Sequence, residues 1–347
     1  MSADLWRPTA GCGPDCLPAP GQTPTVSPVR RAARLVGVLG MLLAGAGLVV
    51  LLPVLPAAER AAVVRGWARG TTRALGVRLE VRGRLPRRRA LLVANHVSWL
   101  DILAVLAVAP ARLLAKREVR GWPLVGLLAR AAGAVFVDRS RPRGLPGTVA
   151  RLAGALRAGH PVAVFPEGTT WCGVAPSADC RPRRGFRPAA FQAAIDAGAP
   201  VVPLRIGYRC ATTGAVSTTA AFLGDETLWR SLRRVLASRD LVVRVVVTAA
   251  LHPAPDADRR LLARAAESAV HLVPARPVGL RPVPAVGSVP AVVPVPAAVP
   301  VPAAVPSGFV GPVPAASPAA AVPVPAVVPV PAVVSVPANE EGLSLAA

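Results

Sequence analysis

The sequence is poor in cysteine, aromatic residues and lysine, and each shortage argues against a class of protein. Five cysteines in 347 residues are too few for a disulfide scaffold, and the odd count indicates reduced thiols. An aromatic content of 4% leaves few stacking platforms for a protein that binds single-stranded nucleic acid. Only Lys116 among the 40 basic residues is a lysine, so the net charge of +22 reflects an arginine-rich composition as much as a polyanionic partner. We therefore expect no nucleic acid among the partners.

The cysteines include two short-range pairs. Three residues separate Cys12 from Cys16 in a Gly/Pro-rich leader, and seven separate Cys172 from Cys180 in a predicted loop. Neither pair has a metal-site partner at the right spacing along the chain. The sequence therefore predicts structural or incidental thiols, with no metal and no cofactor.

The end of the chain has a different composition from the rest. Eighteen of the 40 prolines fall between Pro274 and Pro337. Proline every few residues removes backbone donors and fixes φ, which excludes helices and paired strands. We predict a low-complexity tail over residues 274–347, in polyproline II conformation or disordered. The preceding residues 59–273 are numerous enough to bury the core of a single folded domain.

An uncharged apolar segment covers residues 35–58 and predicts a membrane helix after a disordered basic leader, residues 1–34. Eighteen residues precede Pro53, close to the roughly 20 that cross a bilayer. Arginines flank both ends, so charge does not choose a topology. The helix either spans the membrane or turns back near Pro53 and Pro56, which would leave both flanks on the cytoplasmic face. The following segment, residues 59–75, is either an interfacial helix or an ordinary surface helix.

Short apolar runs alternate with helical patterns after Gly76, which predicts an α/β fold with a mostly parallel sheet flanked by helices. The predicted strands cover residues 77–81, 90–94, 112–115, 134–138, 162–165, 201–206 and 241–248. The predicted helices lie near residues 100–108, 124–132, 148–158, 189–197, 226–237 and 257–272.

Among the four histidines, His96 stands out because it follows an apolar strand directly, in the run Asn95-His96-Val97-Ser98-Trp99-Leu100-Asp101. Polar residues at the carboxyl ends of parallel strands form the sites of open α/β sheets. In a continuous helix, side chains five residues apart point about 140° apart. A pairing of His96 with Asp101 therefore requires the histidine on a loop and the aspartate on the first helical turn, which would give a base and its orienting carboxylate. The alternative is that Asn95, Ser98 and Asp101 cap the helix and His96 lies at the surface.

Two more strands end in polar groups. One ends in Val137-Asp138-Arg139, and another is followed by Phe165-Pro166-Glu167-Gly168-Thr169-Thr170. A sheet whose strands run in one sense would gather these groups with His96 on one edge.

With these residues the sequence resembles the glycerolipid acyltransferase family, whose bacterial members acylate lysophosphatidic acid. The resemblance covers about residues 76–208 in four ordered blocks. The blocks are Asn95, His96 and Asp101; Gly133, Phe136 and Arg139; Phe165 to Thr169; and Val201 to Leu204.

The resemblance implies that His96 deprotonates an acceptor hydroxyl, which attacks the thioester of acyl-CoA or acyl carrier protein, and that Asp101 orients the histidine. It implies no covalent acyl-enzyme. The expected product is phosphatidic acid, made at the cytoplasmic face of the cell membrane, and the expected partners are membrane lipids, the lysophospholipid and the acyl donor. The substrate-binding residues implied are Asn95, Phe136, Arg139, Glu167, Gly168 and Thr169.

One residue departs from the family pattern. Relatives that accept a phosphate usually carry an arginine after Glu-Gly-Thr, and this chain has Thr170. Either an arginine of the following loop (Arg183, Arg184 or Arg187) supplies the charge, or the acceptor is another lysolipid, such as an acylated amino acid. A membrane adaptor without enzymatic activity is the alternative from another class, but a scaffold does not need polar groups at three strand ends.

Overall fold

A computed structural model describes residues 8–19, 21–86, 89–174, 180, 182 and 185–271. Over these residues one sheet of seven strands forms the centre of the protein, in the order β1-β7-β6-β2-β5-β3-β4. The strands are β1 (Arg78–Arg82), β2 (Leu91–Ala94), β3 (Arg112–Lys116), β4 (Val135–Val137), β5 (Val162–Val164), β6 (Val201–Cys210) and β7 (Leu241–Val247). The predicted strands are thus all present, within a few residues of their expected bounds. The predicted tail, residues 274–347, lies outside the described residues.

Strand direction is uniform over the centre of the sheet and reverses at one side. Strands β2 to β6 run parallel, with Leu91 of β2 opposite Val162 of β5 and Val201 of β6. Strand β7 is antiparallel to β6, and β1 is parallel to β7. The prediction of a mostly parallel sheet is confirmed, and the carboxyl ends of β2, β4 and β5 lie at one edge.

Helices cover both faces of the sheet. They are α1 (Pro28–Leu51), α2 (Ala57–Ala74), α3 (Leu100–Val108), α4 (Val125–Ala131), α5 (Leu145–Arg157), α6 (Ala189–Asp196), α7 (Leu228–Ala237) and α8 (Arg259–His271). Side chains of β2 alternate between the faces: Leu91 and Val93 pack with α5, α6 and α8, whereas Leu92 and Ala94 pack with α3 and α7. Because both faces are buried, β2 is a continuous apolar run without polar alternation.

Helices α1 and α2 form an antiparallel hairpin. Gly37 lies against Ala74, and the indole of Trp67 donates a hydrogen bond to the Met41 carbonyl over 2.7 Å. The turn between the helices contains Pro53 and is a short 3-10 segment, Leu52–Val54. Residues Pro28–Val54 are long and apolar enough to cross a membrane, and most of their surface is exposed.

The described part of the leader, residues 8–19 and 21–34, is more ordered than predicted. Helix α1 begins at Pro28, seven residues earlier than predicted, where the Ser27 hydroxyl accepts a hydrogen bond from the Arg30 amide. Upstream of it Cys12 and Val26 are buried, and the Val26 amide donates to the Ala237 carbonyl over 2.9 Å. A segment rich in Gly and Pro has little local preference for order, and tertiary contacts supply it here.

Candidate active site

His96 and Asp101 meet at the carboxyl end of β2. His96 is in the loop and Asp101 is on the first turn of α3, and the Nδ1 atom of His96 lies 2.9 Å from Oδ2 of Asp101. The aspartate side chain is fully buried, whereas that of the histidine is 19% exposed. Asp101 also accepts hydrogen bonds from the backbone amides of Val97 and Ser98, over 2.7 and 2.9 Å. The capping role and the pairing role therefore coexist in one carboxylate.

Tyr208 is a member of this cluster that the sequence analysis missed. Its hydroxyl donates to Oδ1 of Asp101 over 2.5 Å, so both carboxylate oxygens are engaged. Burial raises the pKa of Tyr208 well above its ordinary value, and the Asp101 charge raises it further, so the hydroxyl stays a donor. Tyr208 is the only tyrosine of the chain and lies two residues beyond the predicted strand 201–206, so the sequence provided little signal for it.

Glu167 fixes the backbone of the His96 loop. Its Oε2 accepts the backbone amide of His96 over 2.6 Å, and its Oε1 accepts the indole N–H of Trp171 over 3.0 Å. Burial raises the pKa of Glu167, while His271 and the His96 amide oppose that shift. The ring of Phe165 stacks on the imidazole at a centroid distance of 4.1 Å. The histidine is thus fixed at its backbone, its ring face and its Nδ1 atom.

Two of the residues predicted to bind substrate are buried within the framework of the site. Glu167 is 2% exposed and commits its oxygens to His96 and Trp171. Asn95 is 4% exposed, and its amide exchanges two hydrogen bonds of 2.8 Å with the backbone of Ile206, which ties β2 to β6. These contacts position both side chains to orient the His96 loop, and their contact with substrate stays a prediction.

Positive charge gathers around Gly168, directly after Glu167. The guanidinium of Arg139 donates to the Gly168 carbonyl over 2.8 Å, and a Cβ added at Gly168 would lie 3.6 Å from Nε of Arg187. Partial burial lowers the pKa of Arg139, and the Arg187 charge lowers it further. Partial desolvation and the Arg139 charge lower the pKa of Lys116 in turn. Like charges held this close favour an anion between them.

The remaining predicted residues surround this cationic cluster. Thr169 is half-buried next to Gly168, and the hydroxyl of Thr170 donates to the Phe222 carbonyl. Phe136 lines a neighbouring pocket at the end of β4, together with Asp138 and five arginines. The arginines are Arg117, Arg120, Arg130, Arg141 and Arg151.

The site places an imidazole–carboxylate pair beside an arginine-rich turn, and comparison with known proteins gives its family. Residues 77–207 match the family model described as Acyltransferase. The lyso-ornithine lipid O-acyltransferase of Pseudomonas aeruginosa is 38% identical over 247 residues, covering 70% of this chain and 91% of that protein. The 1-acyl-sn-glycerol-3-phosphate acyltransferase of Neisseria meningitidis is 34% identical, covering 60% and 78%.

A solved structure shares the fold. The crystal structure of the 1-acyl-sn-glycerophosphate acyltransferase of Thermotoga maritima matches with a TM-score of 0.50 at 20% identity, over 70% of this chain and 94% of that chain. The chain belongs to the glycerolipid acyltransferase family, an enzyme family, as the sequence motifs predicted.

Proposed function

We propose that this protein transfers a fatty acyl group from a thioester donor to the hydroxyl of lysophosphatidic acid. The observation that carries the reaction type is the pairing of His96 with the buried carboxylate of Asp101. Because that carboxylate accepts a hydrogen bond from Nδ1–H, the lone pair of the imidazole is on Nε2.

The chemistry needs a base and then an acid. Nε2 of His96 takes the proton of the acceptor hydroxyl while its oxygen attacks the thioester carbonyl carbon. The tetrahedral intermediate collapses with cleavage of the C–S bond, and the imidazolium returns the proton to the departing thiolate. Asp101 stabilises the imidazolium in between, and no group of the protein is acylated.

The cationic cluster around Gly168 supports a phosphate-bearing acceptor. Arg139 and Arg187 approach the same turn, and Arg187 is one of the arginines that could replace the one missing at Thr170. A phosphate dianion offers several oxygens to two guanidinium groups, each of which can bind it through paired N–H donors. The arginine-lined pocket at Phe136 supports an anionic donor, either the nucleotide of acyl-CoA or the acidic surface of acyl carrier protein.

A lyso-ornithine lipid is the second candidate acceptor. Thr170 stands where phosphate-accepting relatives usually have arginine, and the relative matched over 91% of its length carries that lipid in its name. The carboxylate of an acylated amino acid would also fit between the cationic groups.

The two acceptors can be compared directly. The full-length protein, purified in detergent, is given lysophosphatidic acid or lyso-ornithine lipid with labelled acyl-CoA or acyl carrier protein, and products are identified by mass. We expect phosphatidic acid to form with the higher kcat/KM, and the His96→Ala protein to form neither product while keeping its thermal midpoint. A higher kcat/KM for the amino-acid lipid would select the second candidate, and turnover by His96→Ala would contradict the mechanism.

Arg139 tests acceptor recognition separately from chemistry. Arg139→Lys keeps the charge but loses the planar fork, so KM for lysophosphatidic acid should rise more than KM for the donor. Arg157→Lys, on the outer surface of α5, is the matched control and should change neither value. Equal changes in both KM values would reject a role in acceptor recognition.

We further propose that the α1–α2 hairpin holds the protein on the cytoplasmic face of the membrane without placing α2 in its centre. Each arginine at a bilayer centre costs about 2.5–3.5 kcal/mol, and α2 carries Arg60, Arg65, Arg69 and Arg73. Helix α1 exposes apolar side chains, among them Leu39 and Leu43. The double change Leu39→Gln and Leu43→Gln should weaken flotation with anionic vesicles, whereas Leu261→Gln, an exposed leucine of α8, should not. Unchanged flotation of the double variant would contradict the proposal.

A further inference from the structure

Four of the five cysteines come together in space. Cys12 and Cys16 of the leader face Cys172 and Cys180 of the segment after β5, and their four Sγ atoms all lie within 4.8 Å of one another. From spacing along the chain neither pair was predicted to have a metal-site partner, and the fold corrects that prediction because each pair is the partner of the other. Cys12, Cys172 and Cys180 are buried, and Cys16 is half-buried.

We propose that these four cysteines bind one structural zinc ion. Zinc takes four thiolates as a tetrahedron with Zn–S bonds of about 2.3 Å, which places the sulfur atoms about 3.8 Å apart. The Sγ atoms of Cys16 and Cys180 are 3.7 Å apart, close to that spacing. A disulfide would need about 2.05 Å.

The surroundings suit a bound ion better than a reactive thiol. The backbone amide of Cys172 points at Sγ of Cys12 over 3.3 Å, the kind of outer contact that stabilises a metal-bound thiolate. Reactive cysteines lie in partly exposed positions, whereas three of these four are buried.

The ion would join the leader to the catalytic turn. Cys172 directly follows Trp171, whose indole holds Glu167, which in turn holds the His96 amide. From the leader, Pro8 lies so close to Gly168 that a Cβ there would come within 2.8 Å of its Cγ atom. The zinc site is therefore a brace for the segment that positions the base, and it does not take part in acyl transfer.

The experiment measures metal content and uses the fifth cysteine as control. The full-length protein is purified in detergent with zinc present, dialysed, and analysed by elemental mass spectrometry. We expect about one zinc per chain in the wild type and in Cys210→Ser, and far less than one in Cys12→Ser and Cys180→Ser. A chelator should lower the thermal midpoint of the wild type and of Cys210→Ser, and zinc should restore it, because ion binding contributes to folding.

Cobalt(II) provides a measurement that does not depend on the serine variants folding. Bound in place of zinc in the wild type, it should give the intense visible absorption of a tetrahedral thiolate site. Wild-type protein without a tightly bound ion would overturn the proposal, as would a disulfide within the cluster found by mass under non-reducing conditions. Iron with inorganic sulfide would overturn it in favour of a cluster, and equal zinc loss in Cys210→Ser would show that the ion lies elsewhere.

Discussion

Replacing Asp101 by asparagine should remove the charge beneath His96 while keeping the geometry of the site. Oδ2 of Asp101 accepts hydrogen bonds from two backbone amides, which can only donate, and from Nδ1 of His96. The amide oxygen of the asparagine must therefore occupy the Oδ2 position, and its NH₂ group must face Tyr208. A tyrosine hydroxyl can accept as well as donate, so it rotates to receive that N–H. The Nδ1–H tautomer of His96 is then preserved.

The fall in kcat of Asp101→Asn can be estimated from the stabilisation that the imidazolium loses with the charge. A hydrogen bond to a charged group contributes about 1.5–3 kcal/mol, and part of it survives with a neutral acceptor. At the other limit, two unit charges about 4 Å apart attract by about 4 kcal/mol at an effective dielectric constant of 20. The imidazolium formed during acyl transfer should thus lose about 1.5–4 kcal/mol of stabilisation, which corresponds to a fall in kcat of about 10- to 1,000-fold.

The assay is kcat with both substrates saturating, alongside His96→Ala as the inactive reference and Asp225→Asn, an exposed aspartate, as the control. We expect Asp101→Asn to lie clearly between the wild type and His96→Ala, with an unchanged thermal midpoint. If it is as inactive as His96→Ala, the tautomer argument is wrong. If it turns over within about twofold of the wild type, a difference of only about 0.4 kcal/mol in activation free energy, the charge has no role.

Three further predictions concern Tyr208, Gly168 and the tail. Tyr208→Phe removes a donor from the buried Asp101 carboxylate and should lower the free energy of unfolding by about 1.5–3 kcal/mol, measured by denaturant titration, with kcat changed less than in Asp101→Asn. Gly168→Ala places a side chain at φ +74° against Pro8 and should cost about 1–2 kcal/mol, seen as a lower thermal midpoint; an unchanged midpoint would show that the turn relaxes freely. A chain ending at Pro274 should keep full activity, and loss of activity in a soluble, membrane-bound form would contradict an inert tail.

Local sequence was enough to predict the strands and the pairing of His96 with Asp101. A run such as Leu91–Ala94 is apolar at every position because both faces of a parallel strand are covered, so strand identity is visible without the fold. His96 and Asp101 are five residues apart, and only a strand-loop-helix path between them allows contact. Both conclusions depend on neighbours along the chain, and such information is present in any stretch of sequence.

The rest of the site depends on which distant segments the fold places side by side. Tyr208 reaches Asp101 across 107 residues, and Asn95 reaches Ile206 across 111, because β6 lies beside β2 in the sheet. The local sequence pattern does not predict the order of the strands, because β2 would be equally apolar whichever strands flanked it. Local sequence therefore does not predict the hydrogen bonds that join Tyr208 to Asp101 and Asn95 to Ile206.

The cysteines show the same limit at longer range. Three residues separate Cys12 from Cys16 and seven separate Cys172 from Cys180, and neither pair completes a four-ligand zinc motif by itself. The two pairs meet only in the fold, where Cys12 contacts Cys180 across 168 residues. The leader was also predicted to be disordered, because its glycines and prolines leave it without a periodic apolar face. Sequence determined which residues can form strands, cap helices and act as a base. Tertiary structure alone decided which side chains converge, because that depends on the packing of whole elements and not on the spacing of residues along the chain.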